Sequence, residues 1–267
     1  MFSEGLVSIV TPNYNCARFI SQTIESVLAQ TYTSWEMLIV DDCSTDGSYE
    51  IALEYSVRDS RIKVLRNEKN SGAAISRNKA IELAQGEFIA FLDSDDLWMP
   101  EKLEKQISFM QDNNCDFSFC EYEHIDEENK SLLKVAKVIK KLTYKKMMFH
   151  CFPGCLTVMY NQDVVGKIYA KDIKKNNDNA LFYPVLKKCK NAMGLNECLG
   201  LYRIRKGSIS RNKLKMIKPY ITVLHDFERH NILISYFCVL THFIIKILFK
   251  YKSIKISDSF CKIYNFK

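Results

Sequence analysis

The first 120 residues of this chain predict an α/β fold with a mostly parallel central sheet flanked by helices. Segments with strand-like and helix-like patterns alternate regularly along this part of the sequence. The strand-like segments are continuous apolar runs, which is typical of parallel strands buried on both faces. Because crossovers between parallel strands are right-handed, the loops that follow the strands are expected to meet at one edge of the sheet.

Four strands and three helices account for this alternation. A helix is expected where apolar residues recur every three or four positions, as they do from Phe19 to Leu28. Asp46 or Ser48 can cap the second helix. The predicted strands are Leu6–Thr11, Trp35–Val40, Ile62–Arg66 and Glu87–Leu92, and the predicted helices are Ala17–Gln30, a segment ending near Val57, and Ala73–Ala84.

The pattern is less regular after residue 120. The segment Glu121–Lys146 changes from acidic to basic and predicts a surface loop followed by a helix. Beyond it the sequence predicts two more strands and one more helix. The strands are Leu156–Tyr160 and Leu199–Ile204, and the helix is Asp178–Cys189.

Residues 211–267 carry most of the positive charge. They hold eleven Lys and Arg against three Asp and Glu, in a chain with a formal net charge of +7. The basic residues alternate with apolar runs such as Ile232–Leu240, so a basic amphipathic helical tail is predicted. It can lie on an anionic membrane surface, or cover the core or a dimer interface. No apolar run approaches the ~20 residues that span a bilayer.

The composition favours an intracellular, globular protein. The hydrophobic content is 47%, which is ordinary for a chain that buries a full core. The ten cysteines form no CxxC pair and no signal peptide opens the chain, so reduced thiols and a cytoplasmic location are expected. A zinc site from Cys151, Cys155 and a distant histidine is disfavoured. Nucleic acid is not expected as a partner, because no binding motif accompanies the basic residues.

The most informative motif is the acidic cluster Asp93-Ser94-Asp95-Asp96, which directly follows the apolar run 88–92. Three carboxylates this close repel one another, so a fold tolerates them most readily where they bind a cation. Strand ends are also where open α/β sheets hold their ligands. Oxygen ligands favour Mg²⁺ or Mn²⁺, which in turn bridge phosphates. The alternative is a solvated acidic turn that caps the following helix.

Two further segments fall on the same predicted edge. Asp41 and Asp42 follow the second strand, where a carboxylate can accept hydrogen bonds from a ring N–H or from ribose hydroxyls; a turn or a helix cap is the alternative. Residues 70–78 (Asn-Ser-Gly-Ala-Ala-Ile-Ser-Arg-Asn) predict a glycine turn that opens a helix. With Arg77 nearby, the start of this helix suits a phosphate group.

Four motifs, in this order, resemble those of the family 2 glycosyltransferases of the GT-A fold. The resemblance covers roughly residues 5–210, and the order and spacing are far more specific than any one motif. The motifs are Thr11-Pro12-Asn13-Tyr14-Asn15, Val40-Asp41-Asp42-Cys43-Ser44-Thr45-Asp46-Gly47, the segment 70–78, and Phe91-Leu92-Asp93-Ser94-Asp95-Asp96. The resemblance implies a Rossmann-like catalytic domain over residues 1–210, with a nucleotide-sugar half to about 120 and an acceptor half to 210. Residues 211–267 then form the helical appendage.

The same resemblance implies how the donor is bound. Arg77 is expected near the phosphates, and Asp93 is expected to face the ribose and the sugar. Asp95 is expected to ligate Mg²⁺ or Mn²⁺, with Asp96 as a further metal candidate. The residues expected to hold the uridine of a UDP-sugar are Thr11, Pro12, Tyr14 and Asp42.

Two departures from the family pattern concern catalysis. The family's general base belongs to an acidic pair that opens a later helix, and the matching residues here are Asn177 and Asp178. Asp178 is the position expected to take the proton, with Asp172 as a competing carboxylate and helix capping as its alternative role. Arg205 stands where the family commonly has His in an Arg-x-His-x-x-Ser-x-Ser loop, and it is expected to meet the diphosphate.

The resemblance implies an inverting glycosyltransferase that moves a sugar from a UDP-sugar to a saccharide acceptor. Similar bacterial enzymes extend saccharides on a polyprenyl diphosphate in O-antigen or capsule synthesis, and the basic tail suggests a peripheral position at the inner face of the plasma membrane. One alternative is a sugar nucleotidyltransferase, which needs a glycine-rich basic loop that residues 11–18 lack. Another is a degenerate protein that binds a nucleotide sugar without turnover, which Asn177 favours.

Overall fold

A computed structural model describes residues 2–149, 153–173, 175–205 and 216–249. Within them, strands and helices alternate as far as residue 91. The strands are β1 (Ser3–Asn13), β2 (Trp35–Asp41), β3 (Ile62–Arg66), β4 (Gly86–Phe91), β5 (Leu97–Trp98), β6 (Phe117–Ile125), β7 (Ser131–Ala136), β8 (Lys141–Leu142), β9 (Met159–Asn161) and β10 (Ala192–Arg203). The α-helices are α1 (Ile20–Leu28), α2 (Ser48–Arg58), α3 (Ala73–Leu83), α4 (Lys102–Asp112), α5 (Tyr144–Phe149), α6 (Gln162–Val165), α7 (Asn177–Lys188), α8 (Ile217–Thr222) and α9 (Ile232–Phe249).

These strands form one sheet, in the order β3-β2-β1-β4-β9-β6-β10-β5. Strands β3, β2, β1 and β4 are parallel to one another. Strand β9 runs antiparallel between β4 and β6, and β10 is parallel to β6. The predicted α/β fold is therefore confirmed. Its parallel half holds β1 to β4, and its second half is mixed.

The core lies on both faces of the sheet because successive strand residues point to opposite sides. Val10 of β1 and Phe91 of β4 belong to one buried cluster, whereas the neighbouring Ile9 and Ala90 belong to the other. Helix α7 is anchored in the first cluster by Phe182, whose ring lies 5.6 Å from that of Phe91 at a steep angle. Such aromatic pairs contribute about 0.5–1.5 kcal/mol beyond their burial. This packing fixes the start of α7 relative to the end of β4.

The loop predicted for the first part of Glu121–Lys146 is wrong, because these residues continue β6 and form a hairpin with β7. Two of the acidic residues that suggested a surface loop, Glu121 and Glu123, are buried within the strand. Glu121 accepts from Lys137 Nζ at 2.6 Å, and Glu123 accepts from the hydroxyl of Ser131. Paired carboxylates can sit in a strand that charge patterning alone assigns to solvent. The helix expected near the end of the segment is confirmed as α5.

The appendage predicted over 211–267 is helical where it is described. Helices α8 and α9 pack against each other, and α9 also packs against α5. One side of α9 is buried at Cys238 and Val239, while Leu233, Phe237 and Leu240 on the other side are exposed. Residues 211–215 and 250–267 of the predicted tail lie outside the described residues.

Three further findings concern the sequence predictions. The cysteines in the described part of the chain are free. The disfavoured zinc site included Cys151, which lies outside the described residues. In the described ranges, no helix combines the length and apolarity needed to cross a membrane.

Candidate functional site

The loops after β1, β2 and β4 meet at one edge of the sheet, as the sequence predicts. The backbone N–H of Asn15 donates to Ser44 Oγ at 3.0 Å, which joins the first loop to the second. The hydroxyl of Thr23 donates to the backbone carbonyl of Ser94 at 3.0 Å, and the thiol of Cys16 donates to the same carbonyl at 3.3 Å. The parallel register brings these chain segments to the same edge although they are far apart in sequence.

Asp41 and Asp42 have different partners, although they are adjacent in sequence. Asp41 is fully buried and accepts from the Asn13 side chain at 2.8 Å and from the backbone N–H of Ser44 at 3.0 Å. These bonds shape the turn after β2 and leave the residue no access to a ligand. Asp42 points away from that turn, toward the start of α3.

Asp42 holds the glycine turn that precedes α3. Its Oδ1 accepts from the backbone N–H of Ser71 at 2.8 Å and from the side chain of Asn67 at 2.8 Å, and its Oδ2 accepts from the N–H of Gly72 at 2.7 Å. Gly72 has a φ of +92°, a conformation that favours glycine. The sequence predicted that the start of α3 binds a phosphate, but the N–H groups of Ser71 and Gly72 there already donate to Asp42. A carboxylate accepts about four hydrogen bonds, so Asp42 keeps capacity for one more.

The residues of β1 and the loop after it have contrasting environments. Thr11 is buried, and its hydroxyl has no hydrogen-bond partner among the described residues. Tyr14 exposes half of its surface. Asn15 has a φ of +47° and accepts from the N–H of Thr45 at 2.9 Å. The backbone of this loop is therefore fixed, and the ring of Tyr14 is exposed. Pro12 lies near the end of β1, just before the loop.

Arg77 connects three parts of the site. Its guanidinium forms an ion pair with Asp93 through one terminal nitrogen and donates to Asn177 Oδ1 through the other. Arg77 is almost fully buried. Although burial alone lowers its pKa, the charges of Asp93, Cys155 and Asp178 raise it overall, so the guanidinium stays charged. The sequence analysis did not predict the contact of Arg77 with Asn177. The one signal for it was that Asn177 is an amide at a position where the family has an acidic residue.

Asp178 lies in the first turn of α7, beside the residue that contacts Arg77. The helix begins after Asn176, whose φ of +65° is a conformation that Asn tolerates. Asp178 is half-buried and accepts from the N–H of Asn179 at 2.9 Å. Burial raises the pKa of its carboxyl, while the Arg77 guanidinium and the Asn179 N–H act in the opposite direction. A carboxylate with a raised pKa suits proton abstraction near neutral pH.

The acidic cluster has two half-buried members, Asp93 and Asp95, and one buried member, Asp96. Asp95 is paired with Arg205, whose Nε lies 2.7 Å from Oδ2. Burial raises the pKa of Asp95, the charge of Arg205 lowers it, and the charge of Asp93 adds to the rise. Asp96 is buried and accepts the backbone N–H of Arg203 at 2.8 Å. Burial and the charges of Asp95 and Asp93 raise the pKa of Asp96 well above its usual range.

Arg203, at the end of β10, supports the acidic cluster from below. It is almost fully buried, and its Nε donates to the backbone carbonyl of Asp95 at 2.7 Å. Its other nitrogens donate to Gln22 of α1 at 3.0 Å and to Asn129 in the turn between β6 and β7. The sequence analysis placed this residue in the Arg-x-His-x-x-Ser-x-Ser-like segment but gave it no role, because its partners are backbone carbonyls and distant amides.

The donor set of the cluster suits a hard divalent cation. In the part of the chain that is described, no three His, Cys, Asp or Glu side chains form a complete metal cage. Mg²⁺ commonly needs no such cage, because it takes one or two carboxylates and completes its shell with water and substrate phosphates. Asp95 can supply one such carboxylate: Arg205 Nε pairs with its Oδ2 at 2.7 Å, so a cation would use its other oxygen or displace Arg205. Asp96 is less available, since one of its oxygens already accepts a backbone N–H.

The structure thus groups the predicted residues into two clusters. Arg77, Asp93 and Asp178 form one cluster. Asp95, Asp96 and Arg205 form the other, and the two are linked because Asp93 and Asp95 lie in the same loop. Asp172, the competing carboxylate, is exposed on the segment before α7. The remainder of the predicted cationic loop, residues 206–210, lies outside the described residues.

One protein-family model matches this chain. Residues 8–172 match the model described as glycosyl transferase family 2. Among curated proteins, the chain is 43% identical over 225 residues to WfgD of Escherichia coli, a UDP-Glc:α-D-GlcNAc-diphosphoundecaprenol β-1,3-glucosyltransferase. The match covers 84% of this chain and 87% of WfgD.

Two solved structures share the fold at lower identity. Residues 1–349 of TarS from S. aureus, in complex with UDP-GlcNAc, match with a TM-score of 0.71 and 20% identity over 92% of this chain and 76% of that one. The mannosyltransferase PcManGT of Pyrobaculum calidifontis, in complex with GDP-Man and Mn²⁺, matches with a TM-score of 0.65 and 14% identity over 92% and 75% of the two chains.

Proposed function

Because this chain belongs to the glycosyl transferase family 2, we propose that it transfers a sugar, with inversion, from a UDP-sugar to a saccharide carried on a polyprenyl diphosphate. The single observation that carries the proposal is the forked contact of Arg77 with Asp93 and Asn177. It joins the acidic cluster to the first turn of α7, where Asp178 lies. The reaction that WfgD catalyses, with a UDP-sugar donor and a diphosphoundecaprenol-linked acceptor, supports the substrate classes.

The donor is bound along the edge formed by β1, β2 and β4. Tyr14 offers an exposed ring against which a uracil can stack, and Thr11 offers an unsatisfied hydroxyl. The remaining acceptor site of Asp42 takes a ring N–H or a ribose hydroxyl. Pro12 limits the shape of the loop, and Asp93 receives the sugar hydroxyls. Burial of the base on this rigid edge orients the diphosphate toward the acidic cluster.

Cationic groups stabilise the leaving group. Arg77 and Arg205 are paired with Asp93 and Asp95, and a diphosphate bound beside the cluster would share these two guanidiniums with the carboxylates. Asp95 would hold Mg²⁺ or Mn²⁺, with Asp96 as a supporting residue, and the bound ion would neutralise charge on the diphosphate. Arg203 keeps the cluster in position through the carbonyl of Asp95. These charges lower the barrier to departure of UDP.

Asp178 is the general base. It removes the proton from an acceptor hydroxyl as that oxygen attacks the anomeric carbon from the face opposite the diphosphate. The new glycosidic C–O bond forms while the bond between the anomeric carbon and the phosphate oxygen breaks, and its electron pair leaves with UDP. The proton remains on Asp178 until solvent takes it. The raised pKa of the carboxyl favours this transfer at neutral pH.

The C-terminal helices bring the enzyme to its lipid-linked substrate. Helix α9 exposes 75% of Leu233, 61% of Phe237 and 60% of Leu240, and Lys218 and Arg229 are exposed beside it. An apolar helix face with basic neighbours favours binding at the surface of an anionic bilayer. We expect a peripheral position on the cytoplasmic leaflet. Substituting L233E and F237E together should reduce sedimentation with phosphatidylglycerol vesicles while leaving transfer to a detergent-soluble acceptor intact.

A donor and acceptor assay tests the proposed function. Binding of UDP-glucose, UDP-galactose and their N-acetyl forms is measured by calorimetry with Mn²⁺, with Mg²⁺ and with EDTA. Transfer is then measured to a synthetic polyprenyl diphosphate N-acetylglucosamine, and the anomeric configuration of the product is read by NMR. We expect metal-dependent binding and a product of inverted configuration. Binding of a donor without transfer to any lipid-linked saccharide would contradict the proposal, as would a retained configuration.

A further inference from the structure

Two arginines at the end of β10 meet the acidic cluster and are held in different ways. Arg203 is almost fully buried, and its guanidinium donates to the backbone carbonyl of Asp95 at 2.7 Å and to side chains of α1 and of the turn between β6 and β7. Arg205, two residues further along the chain, is half-buried, and its Nε lies 2.7 Å from Oδ2 of the Asp95 carboxylate. Arg203 therefore supports the backbone of the cluster, whereas Arg205 neutralises a side chain that the proposed function assigns to a metal ion.

The guanidinium of Arg205 is accessible, and its partners beside this carboxylate are weak ones. Its Nη1 lies 3.7 Å from the sulfur of Cys16, which is a weak acceptor, and its Cζ lies 5.7 Å from the ring centroid of Phe19. The side chain is 33% exposed, compared with 6% for Arg77, the partner of Asp93. Ion pairs that solvent reaches contribute little to stability, so Arg205 can exchange its carboxylate for another anion at small cost.

The ion pair puts Arg205 in competition with a metal ion for Asp95. Three carboxylates within four residues repel one another, and a cation at Asp95 reduces this repulsion. Arg205 supplies such a cation from the chain itself. A divalent ion on either oxygen of the same carboxylate would lie close to the guanidinium, and two cations at such short range repel strongly. Binding of Arg205 and binding of a metal ion at this carboxylate therefore oppose each other.

We propose that Arg205 serves as the cation of Asp95 until the donor binds and then passes from this carboxylate to the diphosphate, an inference that rests on the proposed function. A diphosphate offers several charged oxygens, which a guanidinium binds through two parallel hydrogen bonds. The released carboxylate is then free to hold the divalent ion that accompanies the diphosphate. Because each exchange favours the other, the metal ion and the nucleotide bind cooperatively, and the protein without nucleotide binds a metal ion weakly.

The test measures the affinity for Mn²⁺ by electron paramagnetic resonance in protein without nucleotide. R205M removes the charge, so it should bind Mn²⁺ about tenfold more tightly than the wild type, whereas R205K keeps the charge and should bind like the wild type. R66M is the matched control, because Arg66 Nε lies 3.5 Å from Oδ2 of Asp41 and its Cζ lies 4.6 Å from the ring centroid of Tyr49. Arg66 is on β3, three strands from β4, so its charge is screened and R66M should change the affinity by less than about twofold.

A second measurement separates the exchange from a merely structural role of Arg205. At saturating Mn²⁺, calorimetry should show that R205M binds UDP about tenfold more weakly than the wild type, because the diphosphate has lost a guanidinium. Opposite changes in the two affinities, with the gain in Mn²⁺ affinity lost again in R205M/D95N, support the proposal.

The proposal is overturned by an R205M protein whose affinity for Mn²⁺ is unchanged or lower, or whose affinity for UDP is unchanged or higher. It is also overturned if R205K binds Mn²⁺ as tightly as R205M, or if R205M/D95N keeps the gain. Both measurements are made without sugar transfer, so absence of transfer by the wild type would instead overturn the proposed function.

Discussion

Replacing Asn177 by Asp tests how the charge around Arg77 sets the pKa of the proposed base. In the wild type, Arg77 faces one carboxylate, Asp93, and one amide, Asn177. The substitution N177D conserves the shape of the side chain and adds a negative charge next to Asp178. Because like charges disfavour a second ionised carboxylate, the change should raise the pKa of Asp178 further.

The size of the effect follows from Coulomb's law. Two unit charges about 7 Å apart repel by roughly 2 kcal/mol at an effective dielectric constant of about 20. The buried Arg77 offsets part of this repulsion by pairing with the new carboxylate, which leaves a net effect of about 1 kcal/mol. That free energy corresponds to about a fivefold change in proton affinity. The acid limb of the pH–rate profile should therefore move upward by roughly half a pH unit to one pH unit.

The assay is the pH dependence of kcat/KM for sugar transfer between pH 5 and pH 9. A base with a higher pKa is protonated over a wider range at low pH, so N177D should lose activity on the acid side and keep it above the shifted limb. N177A is the control, since it removes the hydrogen bond from Arg77 without adding charge, and its limb should stay in place. An acid limb that is unmoved or lower in N177D would refute the reasoning.

Substitutions at three further residues test separate parts of the structure. Lys102 is fully buried above the ring of Trp98, and burial lowers its pKa to about 7; below that pH the folded state must bury a charge that the unfolded chain exposes. K102M should therefore raise the free energy of unfolding by on the order of 2 kcal/mol at pH 6 and by less at pH 10. Equal gains at the two pH values in denaturant titrations would contradict this. R203M should lower the free energy of unfolding by about 3 kcal/mol. R203K should recover less than half of the loss, because the ammonium group of Lys cannot replace the several donors of the guanidinium. Full recovery in urea titrations would contradict this. D42N should weaken UDP binding at least about tenfold in calorimetry, because an amide has one acceptor oxygen for the N–H groups of the glycine turn, and an unchanged Kd would argue against its role.

Much of the first half of the fold could be predicted, because its elements have regular local patterns. The continuous apolar runs of β1, β2 and β4 identified buried parallel strands, and the topology of such sheets brought Asp42 and Asp93 to one edge. The prediction for the β6–β7 hairpin failed because Glu121 is buried in a strand. Its partner is Lys137, sixteen residues away. Charge patterning along the chain cannot reveal such a pairing.

The connections within the site could not be predicted because they join distant segments through single side chains. Arg203 reaches two loops through hydrogen bonds to backbone carbonyls, which have no signature in a sequence. The hydrogen bonds of Asp42 to the turn before α3 could not be predicted from the sequence either, since the donors are backbone N–H groups. The motifs therefore predicted which residues lie at this edge of the sheet, while the hydrogen bonds that hold these residues in place could be found only in the structure.

The most direct test of the central claim is sugar transfer by D178N, measured together with its affinity for the UDP-sugar. Asn has the size of Asp and can still accept from the N–H of Asn179, so the structure of the first turn of α7 should be preserved. The expected result is a donor Kd within about twofold of the wild type and a rate of transfer at least about a hundredfold lower, the contribution of a general base. A D178N enzyme that transfers sugar at more than a tenth of the wild-type rate would contradict the assignment of Asp178.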